Sequence, residues 1–236
     1  MSIKKYIPNT ITSMNLLCGV LGVIFTLEGH IEIAFPLMLA AAVFDFCDGL
    51  AARLLGAYSD IGKELDSLCD MVSFGVLPSL MLYKVSPEGH WTAYIPLFIA
   101  LMSGLRLAKF NVNESQSLGF IGLATTACAM MCGSLAYWID ADPSSIVAVW
   151  AAGGIFIPVV SVFLGLLLVS PLPMFSMKFK KGQKDHSLMI KRTAFLTVAV
   201  LMVIVVIVLK TNWASAVTLV VLSYILVNCI FAAFRK

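Results

Sequence analysis

Stretches of about 20 apolar residues follow one another along almost the whole chain, and that length matches the hydrocarbon thickness of a bilayer. Eight segments qualify, at residues 8–28, 32–55, 63–83, 91–110, 118–138, 145–170, 190–209 and 212–233. In lipid each backbone N–H and C=O must be satisfied within the protein, so each segment reads as a helix. Only 12% of the 236 residues are charged, against about 25% in soluble domains. No hydrophilic stretch is long enough to build a second domain. The expectation is an all-α polytopic membrane protein, with about eight transmembrane helices in a single membrane domain over residues 1–236. Membrane lipids are expected as partners and nucleic acid is not.

The basic residues orient the bundle. With the N-terminus inside, the inner side holds Lys4, Lys5, Arg53, Lys63, Arg106, Lys109, Lys178, Lys180, Lys181, Lys184, Lys191, Arg192, Arg235 and Lys236. The outer turns hold only Lys84 and Lys210, beside Glu28, Glu32, Glu88, Asp140 and Asp142. Excess lysine and arginine mark the cytoplasmic side, so both termini are expected in the cytoplasm, at a cell (inner) membrane. The run from Ile11 to Leu27 lacks a small-x-small cleavage site and reads as a retained first helix. The lysine-rich loop from Met177 to Ser187 reads as an orientation signal that meets anionic headgroups. The 6 cysteines lie in or beside apolar segments with no CxxC, and are expected to remain free thiols. His30 and His90 fall on the outer side, and His186 is isolated.

Four aspartates do not belong in such a chain unless they work. The stretch reads Asp45-Phe-Cys-Asp48-Gly49-Leu-Ala-Ala52-Arg53, then eight residues, then Gly62-Lys-Glu-Leu-Asp66-Ser-Leu-Cys-Asp70. Carboxylates at membrane depth must be paired, hydrated, protonated or bound to metal. Asp45 and Asp48 are three apart on one helix, and Asp66 and Asp70 are four apart on the next, so each pair shares a face. The turn around Gly56 to Gly62 brings the faces together at the cytoplasmic edge. Oxygen-only ligands of this kind suit Mg²⁺ or Mn²⁺, and two such ions could clamp a diphosphate. Gly49, Ala52 and Gly62 leave room for a close backbone approach or a flat ligand. Arg53, one turn beyond Gly49, is placed to bind a phosphate oxygen.

These positions match the signature D-x-x-D-G-x-x-A-R, eight residues, G-x-x-x-D-x-x-x-D, and the chain thereby resembles the CDP-alcohol phosphotransferase family. The resemblance implies a six-helix catalytic core, here about residues 1–170, with two additional C-terminal helices over about 188–236. It also implies two divalent ions (Mg²⁺ or Mn²⁺) and a homodimer. It makes Asp45, Asp48 and Asp66 metal ligands, and Asp70 a ligand, a general base or both. Gly49, Ala52 and Arg53 would line the nucleotide site, with Asp48, Gly62, Asn9 and Thr12 beside the diphosphate.

Further segments are similar to one branch, the phosphatidylserine synthases. They are Pro8-Asn9-Thr10-Ile11-Thr12 with Asn15, the run from Asp66 to Val76, and Arg106-Leu-Ala-Lys109-Phe-Asn111-Val. The chain departs from that branch at Lys109, where arginine is common, and at Gly122 to Ala127, where a proline-containing run is common.

The expected reaction moves a phosphatidyl group from CDP-diacylglycerol to L-serine and releases CMP. Asp70 is the expected base for the serine hydroxyl. Arg106 and Lys109 would take the serine carboxylate, and Asn111 and Asn113 its amine. The same acids would serve another alcohol, such as glycerol phosphate or inositol phosphate. A cation transporter would instead need polar groups spread through the membrane depth, and helices five to eight carry almost no charged residues within their spans.

Overall fold

The computed structural model describes residues 6–112, 120–175 and 186–233. Lys4, Lys5, Asn113, Lys178, Lys180, Lys181, Lys184, Arg235 and Lys236 lie outside the described residues, as does most of the basic loop. The helices are α1 (Tyr6–Glu28), α2 (Ile31–Leu55), α3 (Asp60–Asp70), α4 (Leu77–Lys84), α5 (Phe98–Val112), α6 (Thr125–Ala141), α7 (Ile146–Ala152), α8 (Phe156–Val169), α9 (His186–Leu209) and α10 (Trp213–Ala233). A π-helical turn, Met71–Val76, joins α3 to α4 in one continuous span, and a 3-10 segment, Trp91–Leu97, leads into α5. Two short strands, β1 (Phe120–Ile121) and β2 (Pro173–Met174), pair antiparallel.

Among the described residues, six helical stretches are long and apolar enough to cross a membrane, and the bent pair α7–α8 makes a seventh. With 17 residues, α6 stands at the short end of the spanning range of about 17–25. The chain is an integral membrane protein.

Two expected segments differ from the observed ones. The fifth was expected from residue 118, but α6 begins at Thr125. Gly122 holds φ +76°, a left-handed conformation that no helix of L-residues continues through. Its N–H instead donates to Leu172 O at 2.9 Å, and Leu123 N–H donates to Leu167 O at 3.0 Å. The sixth segment is not straight. It breaks at Gly153 and Gly154, the latter at φ +74°, and α7 and α8 meet at 96°.

The membrane turns the usual burial pattern around, as α1 shows. Its buried positions are Pro8, Thr12, Asn15, Gly19, Gly22 and Thr26, while Met14, Leu17, Val20, Ile24 and Leu27 point outward. Lipid solvates the large apolar side chains, so small and polar residues mark the packed faces. Gly19 shows how close the approach is: an added Cβ would collide with Ser73 Oγ of the π-turn. Farther along the bundle, α10 joins the rest through Ser134 and Thr218, whose hydroxyl oxygens are 2.8 Å apart. Trp213 also stacks on Phe35 of α2, with centroids 5.4 Å apart. All six cysteines are free thiols.

Candidate active site

The turn between α2 and α3 is written locally. Gly56 takes φ +58°, and Ala57 N–H reaches back to Ala52 O at 3.0 Å, which closes the C-terminus of α2. Ser59 then adopts an extended backbone and accepts the Gly62 N–H on Oγ at 3.0 Å, which opens α3. Asp60 in the first turn of α3 favours the same helix start. The turn reverses the chain, α1 packs against both α2 and α3, and the acid-bearing faces of those two helices meet.

Asp45, Asp48 and Asp66 each place one carboxylate oxygen within 4.8 Å of the other two. Asp48 is buried, and Asp45 and Asp66 are half-buried. Thr12 Oγ1 of α1 donates to Asp48 Oδ2 at 2.5 Å, so the first helix holds the central acid. Asp66 Oδ1 is buried with no hydrogen-bond partner. Among the described residues, no lysine or arginine forms an ion pair with Asp48, Asp66 or Asp70. Asp70 is not part of the three-oxygen group. It accepts a hydrogen bond from Asn15 Nδ2 at 3.3 Å and remains within electrostatic reach of Asp45 and Asp66.

Like charges this close repel, and a buried oxygen without a donor is costly. A divalent cation resolves both at once. The donor set is all oxygen, which suits a hard ion such as Mg²⁺ or Mn²⁺. The residues present therefore fit a metal.

The remaining expected residues fall in three places. Asn9 lies against Gly62, where a Cβ would stand 3.1 Å from Asn9 Oδ1, so α1 and α3 share this edge of the site. Gly49 is half-buried, and apart from its own helix backbone and chain neighbours an added Cβ would approach only Arg53 Nη2, at 3.9 Å. Ala52 is half-buried on the same helix. Arg53 is exposed and folds along its own helix, with Nε donating to Gly49 O at 2.8 Å.

Arg106 and Lys109 line a separate cavity of about 210 Å³ with Ile121, Leu168 and Ser170. Arg106 Nη1 donates to Thr125 Oγ1 at 2.7 Å, its Nε is buried without a partner, and it lies within electrostatic reach of Asp70. Asn111 is not in that lining. Its amide donates to Ser67 Oγ at 3.0 Å and to Glu64 Oε2 at 3.3 Å, tying α5 to α3.

Sequence reasoning gave no role to Ser73 or Thr125, and it quoted Asn15 without one. Asn15 was findable, because Asn9, Thr12 and Asn15 recur every three residues along one face of an otherwise apolar helix. Ser73 gained its place from the π-turn, which aims its hydroxyl at Asn15 O at 3.1 Å. π-turns often sit at functional sites, and this one follows Asp70 directly.

Comparison with known proteins agrees with the geometry. The family model for CDP-alcohol phosphatidyltransferase matches residues 5–166. A Bacillus subtilis protein named CDP-diacylglycerol–serine O-phosphatidyltransferase is 41% identical over 123 residues, which are 50% of this chain and 68% of that one. A Mycobacterium tuberculosis protein of the same name is 33% identical over 180 residues, 72% of this chain and 61% of its own length. An archaetidylserine synthase of Methanothermobacter thermautotrophicus is 33% identical over 132 residues, 54% of this chain and 56% of that one. The matched family region covers more than half of the chain and includes all four acids, and the chain belongs to the CDP-alcohol phosphatidyltransferase family.

Proposed function

We propose that this chain transfers a phosphatidyl group from CDP-diacylglycerol to L-serine, giving phosphatidylserine and CMP. The observation that carries the proposal is the meeting of the Asp45, Asp48 and Asp66 oxygens within 4.8 Å at one edge of a membrane bundle. Relatives named for transfer to serine support the choice of acceptor. Mg²⁺ or Mn²⁺, as one or two ions held by these three acids, would supply Lewis-acid stabilisation of the charge on the diphosphate.

The chain's own residues do the rest. Thr12 fixes the rotamer of Asp48. Asn9, Gly49, Ala52, Arg53 and Gly62 border the acids, and the exposed guanidinium of Arg53 neutralises a phosphate. Asp70, held by Asn15, accepts the proton of the serine hydroxyl. The new bond forms between the serine oxygen and the phosphatidyl phosphorus, and the bond from that phosphorus to the CMP oxygen breaks. The proton passes from Asp70 to solvent. Arg106 and Lys109 bind the serine carboxylate in their cavity, within electrostatic reach of Asp70.

The excess of inner lysine and arginine supports a site and both termini on the cytoplasmic side of the cell membrane. A homodimer follows from the family resemblance. The test is CMP release by the purified chain in mixed micelles of CDP-diacylglycerol, with serine or glycerol 3-phosphate as acceptor, before and after chelation. Serine-dependent release that stops on chelation and returns with Mg²⁺ or Mn²⁺ is expected. Release that depends on glycerol 3-phosphate alone would replace the acceptor, and undiminished release after chelation would remove the metal.

A further inference from the structure

We propose that Tyr224 and Asn228 of α10 are positioning residues that shape the Arg106 cavity from outside the catalytic half of the chain. This rests on reading that cavity as the acceptor site.

The cavity has an unusual wall. One side is α5, with Arg106 and Lys109. The other is a crossing of two chain segments, the strand β1 and the end of α8 with the residues after it. Ile121 stands in β1, while Leu168 and Ser170 stand at the end of α8. The crossing is fixed by backbone hydrogen bonds from Gly122 to Leu172 and from Leu123 to Leu167, and by pairing of Ile121 with Pro173 and of Phe120 with Met174. An added Cβ at Gly122 would press on Leu168 O at 2.5 Å, so the two segments are in close contact. Thr125, which receives the Arg106 hydrogen bond, begins α6 three residues after Gly122. The crossing therefore sets both the cavity wall and the orientation of Arg106.

A two-residue ladder is too short to hold itself in place. The structure shows what holds it. Phe175, the residue after β2, donates its N–H to Asn228 Oδ1 at 2.9 Å and accepts Tyr224 OH on its carbonyl at 3.0 Å. Both backbone groups of one residue are thus satisfied by two side chains one turn apart on α10. Asn228 Nδ2 in turn donates to Tyr224 O at 2.8 Å, which fixes the clamp to its own helix. The Phe175 ring packs against Tyr224 and Phe195, with centroids 5.1 Å and 6.0 Å away. Phe175 is buried, as is Asn228. Tyr224 also lies within electrostatic reach of Arg106 itself. Phe175 and Asn228 are buried, so loss of these partners leaves backbone groups of the strap unsatisfied.

The acids at Asp45, Asp48 and Asp66 share no part of this clamp. Loosening it therefore acts on acceptor binding and spares the donor. In the full-length protein in nanodiscs, Tyr224→Phe and Asn228→Leu each raise the KM for serine about tenfold, the equivalent of one buried hydrogen bond. The KM for CDP-diacylglycerol and kcat stay within about twofold. Thr218→Val breaks a different buried polar contact of α10, with Ser134, and serves as the control for general damage to that helix. It leaves the serine KM unchanged. A serine KM raised equally by Thr218→Val, or left unmoved by both clamp variants, overturns the proposal.

Arg106→Gln separates the two readings. If it leaves the serine KM unchanged, the cavity is not the acceptor site, and both readings fall. If it raises that KM while the clamp variants do not, the positioning role alone falls. Should neither clamp variant fold, hydrogen exchange on the wild-type protein decides. The Phe175 amide is expected to exchange as slowly as the middle of α10, and fast exchange there overturns the clamp.

Discussion

The three acids and the Arg106 cavity lie within electrostatic reach of each other through Asp70, but they are put together differently. The acids come from α2 and α3, which are neighbours joined by a capped turn from Gly56 to Ser59. The cavity draws on α5, β1 and the end of α8, and its wall is held by α10 near the far end of the chain. The turn that joins the acid-bearing helices is fixed by short-range sequence signals, and α1 adds Thr12 on Asp48 and Asn15 on Asp70. The cavity depends on the whole bundle having assembled. Substitutions at α10 would therefore reach the proposed acceptor cavity without touching the three acids.

The sharpest way to break this contrast is at Asp66. Asp66→Asn should lower turnover by about a thousandfold, because it removes a ligand from the charge-stabilising centre. The same change should raise the Tm of the metal-free protein by about 2–4 °C, because a crowded carboxylate with an unpaired oxygen is lost. A fall in the metal-free Tm would show that the acids are compensated in some other way. Next in size is Asp70→Asn. It should reduce kcat by about a hundredfold or more while the metal dependence of the residual rate is retained, measured as CMP release against Mg²⁺ concentration. Equal loss of metal affinity would move Asp70 into the ligand set.

A smaller effect is expected at the cavity. Arg106→Lys keeps the charge but loses the planar fork that reaches Thr125, and should raise the serine KM about tenfold with kcat little changed. Smallest is Ser59→Ala, which removes the cap of α3 and should cost about 1 kcal/mol in unfolding stability. Turnover of the folded fraction should persist, as a denaturation curve and an activity assay on the same sample would show.

The same contrast explains what could be read in the residues beforehand. The spacing of Asp45, Asp48 and Asp66 carries the meeting of their oxygens, whereas Asp70, expected to converge with them, stands outside that group, and Gly56 and Ser59 carry the turn. The fifth segment misled because Phe120 to Ala124 is as apolar as a helix, and hydropathy does not register that Gly122 and Leu123 bond to the end of α8. The break at Gly153 and Gly154 was present in the sequence as a glycine pair, but the flanking runs were apolar enough to read as one span. The sequence also does not reveal that the amide of Asn111 donates to Ser67 and Glu64 across to α3. The clamp at Phe175 was not legible at all, since nothing near Tyr224 or Asn228 marks their partner 49 and 53 residues away.

The break before α8 has a consequence for the surrounding lipid. With 14 residues, α8 is only ~21 Å long, against a hydrocarbon layer of about 30 Å. Local thinning of the bilayer is one way to match a helix this short. Since α8 ends beside Ser170 in the cavity wall, thinning there would bring water toward the proposed acceptor cavity. The enzyme would thus bring the shoreline to the lipid, sparing a charged small molecule the crossing into oil.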